Sequence, residues 1–174
     1  MPTLTEFDAL PAADARALLL ECCGSTRWAA AMISARPIGD LQALYATGDR
    51  IWWDLRPEDW REAFAAHPRI GARAPIAPVA SQERSATWAA QEQAAATASS
   101  DEAIVAALAQ VNREYETRFG HIYLVCATGR SAEELLANAH SRLKNDATTE
   151  LRVAAEEQRR ITRLRLARLF GGDG

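Results

Sequence analysis

Ile104, Leu108, Val111 and Tyr115 stand four, three and four residues apart, the spacing that lines side chains along one face of an α-helix. Ser99 with Glu102 three positions later supplies a capping box ahead of that face, and Gly120 predicts its end. Other segments follow the same logic. Pro11 opens PAADARALLLECC, with Asp14 early and Gly24 after it, the order expected of a helix start and stop. Ser25 begins STRWAAAMISAR, which Pro37 ends. Gly39 to Leu55, carrying Leu41, Leu44, Ile51, Trp52 and Trp53, predicts a helix and a half with a break near Gly48. Asp54 to Ala66 predicts a short amphipathic helix that stops before His67-Pro68, because a residue preceding proline is pushed out of the α region.

Gly71 to Ser81 (GARAPIAPVAS) reads as a loop around Pro75 and Pro78, and the Ala- and Gln-rich stretch Gln82 to Ala98 as a helix. Ile122 to Cys126 is a short β-branched and aromatic run, the single piece that predicts extended chain. Ser131 and Glu134 form a second capping box opening a helix to about Leu143. Asp146 starts the last and longest helix, which runs to Phe170 and is closed by Gly171-Gly172. No internal repeat, low-complexity tract or linker interrupts the pattern. The expectation is an all-α protein: a single compact domain, residues 1–174, of seven to eight helices.

Composition narrows the chemistry. A chain of 174 residues can bury its own core without disulfides. Seven Pro and nine Gly leave little room for a turn-rich sheet protein or a long disordered tail. A net charge of −3 gives no electrostatic reason to expect a nucleic-acid partner. The longest apolar stretches, such as Ala103 to Leu108, fall far short of the roughly 20 residues of a membrane span. The start, MPTLTEFDALPAADAR, lacks a basic stretch followed by an apolar run, and the end, LFGGDG, lacks a Ser-Lys-Leu peroxisomal address. A soluble cytoplasmic protein without a membrane partner is expected. Cys22 and Cys23 are adjacent and Cys126 stands alone, so the cysteines read as small apolar residues in a reduced core. Lys144 is the single lysine and sits in the polar stretch Arg142-Leu143-Lys144-Asn145-Asp146, a poor setting for Schiff-base chemistry. No HxxxH, HxH or ExxH pair with helical spacing occurs, so no metal site is expected, and GxGxxG, P-loop and GxSxG motifs are absent.

The residues left for chemistry are few. His67 follows a helix end in HPRIG, where Pro68 fixes the backbone and Gly71 permits a close turn, a setting suited to general acid–base work. His121 abuts the extended run, where it either lines the same pocket or packs; packing is the simpler reading. His140 falls on the polar side of a helix and reads as solvated. Glu92-Gln93 lies mid-helix among alanines, with no basic residue four positions away to explain it as surface pairing. Among Arg159, Arg160, Arg163, Arg165 and Arg168 in the last helix, Arg165 borders the apolar stripe of Ile161 and Leu164. It either extends past that stripe to water or serves an anionic ligand.

Taken together, CCGSTRWAAAM, DWREAFAAHPRIG, WAAQEQ, NREYETRFGHIYLVCATGRSAEELL, RLKNDATTEL and ITRLRLARL resemble, in order, the 2-oxo-4-hydroxy-4-carboxy-5-ureidoimidazoline (OHCU) decarboxylase family. The resemblance runs from about Leu10 to Leu169. It implies an all-helical, commonly dimeric enzyme of urate breakdown that forms (S)-allantoin without cofactor or metal. It further implies that His67 is the catalytic histidine, with Pro68 beside it on the ligand. Glu92 and Gln93 match the EQ of the family's SxxEQ motif, Arg165 its active-site arginine, and the backbone of His121, Ile122, Tyr123, Leu124 and Val125 a segment that holds the substrate ring. One departure stands out: the motif's serine is Ala89 here. Loss of one neutral hydrogen bond costs about 0.5–1.5 kcal/mol, roughly tenfold or less in binding. The change leaves room for a paralogue acting on a related ureido acid. A non-catalytic helical module that docks an acidic partner through its Arg-rich last helix is the other alternative.

Overall fold

The computed structural model describes residues 2–70, 84, 87, 88, 90, 91 and 102–171. Among these it forms eight helices: α1 (Leu4–Ala9), α2 (Ala12–Cys22), α3 (Thr26–Ser34), α4 (Leu41–Trp53), α5 (Pro57–Ala65), α6 (Glu102–Phe119), α7 (Ala132–Arg142) and α8 (Ala147–Phe170). No strand forms among the described residues, and the architecture is all-helical as expected. Arg84, Thr87, Trp88, Ala90 and Gln91 are helical too, within the span expected to be a helix. The Gly71–Ser81 loop, Ala89, Glu92, Gln93, Ser99 and Gly172 lie outside the described residues.

Most helix ends sit where polar residues satisfy the backbone groups that a helix terminus exposes. The Trp28 amide donates to Ser25 Oγ at 3.3 Å and starts α3. Ser131 and Glu134 exchange the two bonds of a capping box at α7, and Asp146 accepts from the Thr148 and Thr149 amides at α8. Gly120, at φ 73°, ends α6 in the left-handed region that glycine tolerates best. Two findings differ from expectation. Helix α1 was not anticipated, although Thr3 and Glu6 form a complete capping box at its start. The break expected near Gly48 is absent. Gly48 is buried mid-helix against the Trp28 ring, which a Cβ there would meet at 3.4 Å, and Trp28 Nε1 donates to the Gly48 carbonyl at 3.0 Å. The glycine serves close packing rather than a turn.

The chain divides into two compact units, residues 1–63 with 159–174, and residues 64–158; the divisions fall inside α5 and α8. In the first unit Phe7 meets Phe170 edge-on at 5.0 Å, and Arg36 closes the end of α1 by donating to the carbonyls of Phe7 and Leu10. Arg159 pairs with Asp49 at 2.6 Å, and Arg163 lies over the Tyr45 ring. Cys22 and Cys23 are buried and form no disulfide, and burial pushes the Cys23 thiol up to about 11, which keeps it inert. In the second unit a cluster of Ile70, Leu108, Val111, Tyr115, Tyr123, Val125, Ala127, Ala132, Leu135 and Ala139 forms the core. Val111, Tyr115 and Leu108 reach it from the face of α6 that the spacing predicts.

Candidate active site

Helix α5 ends just before the His67 turn, and the His67 amide donates back to the Phe64 carbonyl at 3.1 Å. His67 and Pro68 are half-buried, while Ile70 enters the core at 5% exposure. Arg69 fastens the turn to α6 through a two-pronged pair with Glu116, Nε to Oε1 at 2.5 Å and one terminal nitrogen to Oε2 at 2.8 Å. These bonds hold the Glu116 carboxyl below its ordinary range. One turn earlier on α6, Asn112 Nδ2 donates to the Ile70 carbonyl at 3.4 Å.

The run expected to be extended joins no ladder. Buried backbone still needs hydrogen-bond partners, and here side chains supply them. Asn112 Oδ1 accepts from the Tyr123 amide at 3.0 Å, Arg142 donates to the Leu124 carbonyl at 2.8 Å, and Glu157 accepts from the Cys126 amide at 2.8 Å. Helices α6, α7 and α8 each contribute one clamp. The Tyr123 hydroxyl adds a bond to Asn138 Oδ1 at 2.7 Å and reaches the Leu135 carbonyl. His121 is buried, its ring set against Phe64, Tyr115 and Phe119 at centroid distances of 5.3, 5.5 and 6.2 Å. Its Nδ1 lies 3.1 Å from the Ile122 carbonyl, which can only accept, so that bond requires the proton on Nδ1. The packing surroundings of His121 agree with the simpler of its two readings.

Within the polar stretch around Lys144, Lys144 is exposed and Arg142 is buried. Arg142 Nε meets Glu150 Oε1 at 2.7 Å, a second nitrogen reaches the Tyr115 hydroxyl at 3.0 Å, and Tyr115 in turn bonds Glu150. Asn145 donates to the other Glu150 oxygen at 2.7 Å. The guanidinium also lies over the Tyr115 and Tyr123 rings. Burial raises the Tyr115 and Tyr123 hydroxyls well above the usual tyrosine range, so both remain neutral donors. A buried ion pair is favourable only when its remaining lone pairs and protons are also met. This one meets that condition.

Pattern reading missed Asn112, Arg142, Glu150 and Glu157, since a polar residue within a helix reads as surface. The signal that could have found them is local: Asn112 begins NREYETRFG, and Arg142 and Glu150 lie within RLKNDATTEL. Among the expected site residues, the His67–Pro68 turn and the His121–Val125 segment are both fastened to α6. Arg165 belongs to the first unit, 2% exposed, with one guanidinium nitrogen 3.3 Å from the Glu21 carbonyl. It is buried where Arg160 and Arg163 are exposed, which singles it out among the arginines of α8. His140 is exposed, as expected. Ala89, Glu92 and Gln93 lie outside the described residues. Among the described residues no three His, Cys, Asp or Glu side chains come together as a metal would need, and no helix is long and apolar enough to cross a membrane.

The class of protein is an all-helical one, with the His67 turn and the irregular His121–Val125 segment both fastened to α6. Residues 8–167 match the family model for OHCU decarboxylase, and the chain belongs to that family. It is similar to the uric acid degradation bifunctional protein TTL of Arabidopsis thaliana, 38% identical over 150 residues, covering 86% of this chain and 45% of that protein. It is also similar to the 2-oxo-4-hydroxy-4-carboxy-5-ureidoimidazoline decarboxylase of Amia calva, 35% identical over 66 residues, 38% of each chain. The matches thus span less than half the length of these curated relatives. Among solved structures, a crystal structure of OHCU decarboxylase in the presence of (S)-allantoin superposes with a TM-score of 0.75 at 35% identity, covering 87% of this chain and 96% of that one.

Proposed function

We propose that this chain decarboxylates 2-oxo-4-hydroxy-4-carboxy-5-ureidoimidazoline to (S)-allantoin, without cofactor or metal, and that residues 1–174 act as one functional domain. The observation that carries the reading is the family match over residues 8–167, which spans both compact units. In this substrate one ring carbon, C4, carries both the carboxylate and a hydroxyl, and the neighbouring C5, which bears the ureido group, is doubly bonded to a ring nitrogen. When the C4–carboxylate bond breaks, carbon dioxide departs and the electron pair forms a C4–C5 double bond, displacing the C5–nitrogen pair onto that nitrogen and the adjoining ring carbonyl oxygen, which takes up a proton. The C4 hydroxyl then becomes a carbonyl as a proton is delivered to C5 from one face. The protein has only to orient the ring, stabilise the oxyanion and deliver that proton.

His67 is the group we assign to the proton, since it stands half-buried at the exit of α5 on a turn whose backbone Pro68 restricts. Pro68 then lies against the ring. The segment His121–Val125 is assigned to the ring itself. Its clamps engage the Tyr123 amide and the Leu124 carbonyl, and none of them engages the amides of Leu124 and Val125, which are suited to donate to a ring oxygen. To Arg165 we assign charge stabilisation at the ring carbonyl rather than at the carboxylate. Pairing with the carboxylate would favour the ground state, where that charge is greatest, and so oppose reaction. Glu92 and Gln93 are assigned to the substrate's hydroxyl and ureido groups on the strength of the SxxEQ match alone. The same reading takes the chain as a cytoplasmic homodimer, which sedimentation of the purified protein would check.

The test couples urate oxidase and hydroxyisourate hydrolase to this protein and follows (S)-allantoin by circular dichroism, with His67→Asn in parallel. Single-handed product should form faster than the spontaneous racemic product. His67→Asn should lose about 10²–10⁴-fold in rate with its melting temperature unchanged, because residue 67 is outside the core. Racemic product at the background rate would overturn the assignment and favour the paralogue suggested by Ala89.

A further inference from the structure

We propose that Asn112 is a positioning residue that sets the spacing between the His67 turn and the ring-holding segment, through one bond to each. The inference deepens the decarboxylase reading and rests on it. Asn112 is 1% exposed and lies on the inner face of α6. Its carboxamide spans two backbone groups that belong to different parts of the site: Nδ2 donates to the Ile70 carbonyl at 3.4 Å, and Oδ1 accepts from the Tyr123 amide at 3.0 Å. The partners fix the orientation, because a carbonyl can only accept and an amide N–H can only donate. A carboxamide has one of each on a single rigid plane. Among side chains of this length, neither leucine nor ionised aspartate offers both.

The two anchor points lie close to the proposed chemistry. Ile70 is three residues after His67, on a turn tied to the same helix by Arg69 and Glu116. Tyr123 is in the middle of His121–Val125. A shift of Asn112 therefore moves the proton donor relative to the ring, and a misplacement of about 1 Å can cost on the order of 10²-fold in rate. Asn112 touches neither substrate nor reacting atoms in this reading, so its effect should fall on kcat rather than on KM.

The experiment compares Asn112→Leu, which removes both bonds, with Asn112→Asp, which keeps the acceptor for Tyr123 and loses the donor to Ile70. Val111→Ala, in the same core cluster and next in sequence, controls for general loosening. Each variant is assayed for kcat, KM and the handedness of the allantoin formed, at a temperature well below its own melting point. Two readouts need no activity: the imidazole resonances of His67 and hydrogen exchange at the Tyr123 amide. Asn112→Leu should lower kcat by about 10²-fold with KM changed less than about threefold, shift the His67 resonances and speed exchange at Tyr123. Asn112→Asp should shift the His67 resonances while leaving Tyr123 protected. Val111→Ala should lower the melting temperature with kcat nearly intact. Equal loss of kcat in Val111→Ala and Asn112→Leu would overturn the proposal. So would unmoved His67 resonances in both Asn112 variants, a result readable even if the unaltered protein proves inactive and the decarboxylase reading falls.

Discussion

Two stretches of irregular backbone in the second unit are held in different ways. The His67–Ile70 turn is fastened in part near water, by an ion pair in which the Arg69 side chain is 59% exposed, and at its far end by one long amide bond from buried Asn112. The segment from Tyr123 to Cys126 is fastened from within, by buried Asn112, Arg142 and Glu157. The physical difference is the cost of failure. A backbone group near water that loses its partner finds another in solvent, whereas a buried one keeps the full desolvation penalty. Stability should therefore concentrate in the clamps of the segment, while the turn should bear on rate more than on folding.

The largest effect should come from Glu150. Glu150→Ala leaves the Arg142 guanidinium buried without its carboxylate, and breaking such a pair costs about 3–5 kcal/mol. Urea unfolding would show the loss as a fall in midpoint at unchanged slope. A cost below about 1 kcal/mol, the size of an exposed pair, would break the comparison, since the segment would then be held no more firmly than the turn. A smaller effect is expected at Glu157. Glu157→Gln keeps an oxygen for the Cys126 amide and removes the charge that strengthens the bond, a change of about 1 kcal/mol. Hydrogen exchange should quicken at Cys126 more than at Tyr123, whose acceptor Asn112 is untouched.

What the sequence disclosed follows the same division. Helices with one apolar face and a capped start were legible: Ser131 and Glu134 at α7, Asp146 at α8, and the face of α6 running through Leu108, Val111 and Tyr115. These signals are local, set by neighbours three and four positions away. Residues whose partners lie far along the chain were not legible. Glu150 is 35 residues from Tyr115, and Glu157 is 31 from Cys126, so no periodicity links them. Gly48 misled for the same reason, since the Trp28 ring packed against it and bonded to its carbonyl is 20 residues away. The burial that sets Arg165 apart from Arg160 and Arg163 follows its place beside an apolar stripe. The side chains that hold the turn and the segment emerged only from the fold.

The smallest effect sharpens the comparison from the side of the turn. Arg69→Ala removes the two-pronged pair with Glu116, and for a pair this exposed the cost should be below about 1 kcal/mol. It should shrink further in salt, which screens exposed charges. Its dependence on pH has a definite sign. The bonds from Arg69 lower the Glu116 pKa in the folded state. The pair's contribution is therefore complete above the ordinary carboxylate range and is lost as pH falls through the lowered value. Unfolding of both proteins across that range should show the wild-type advantage close toward zero in acid. An advantage that persists in acid would mean that the Arg69 stem, packed along α6, holds the turn instead of its charge. The turn would then be anchored by burial, as the segment is, and the contrast between the two regions would rest on Glu150 alone.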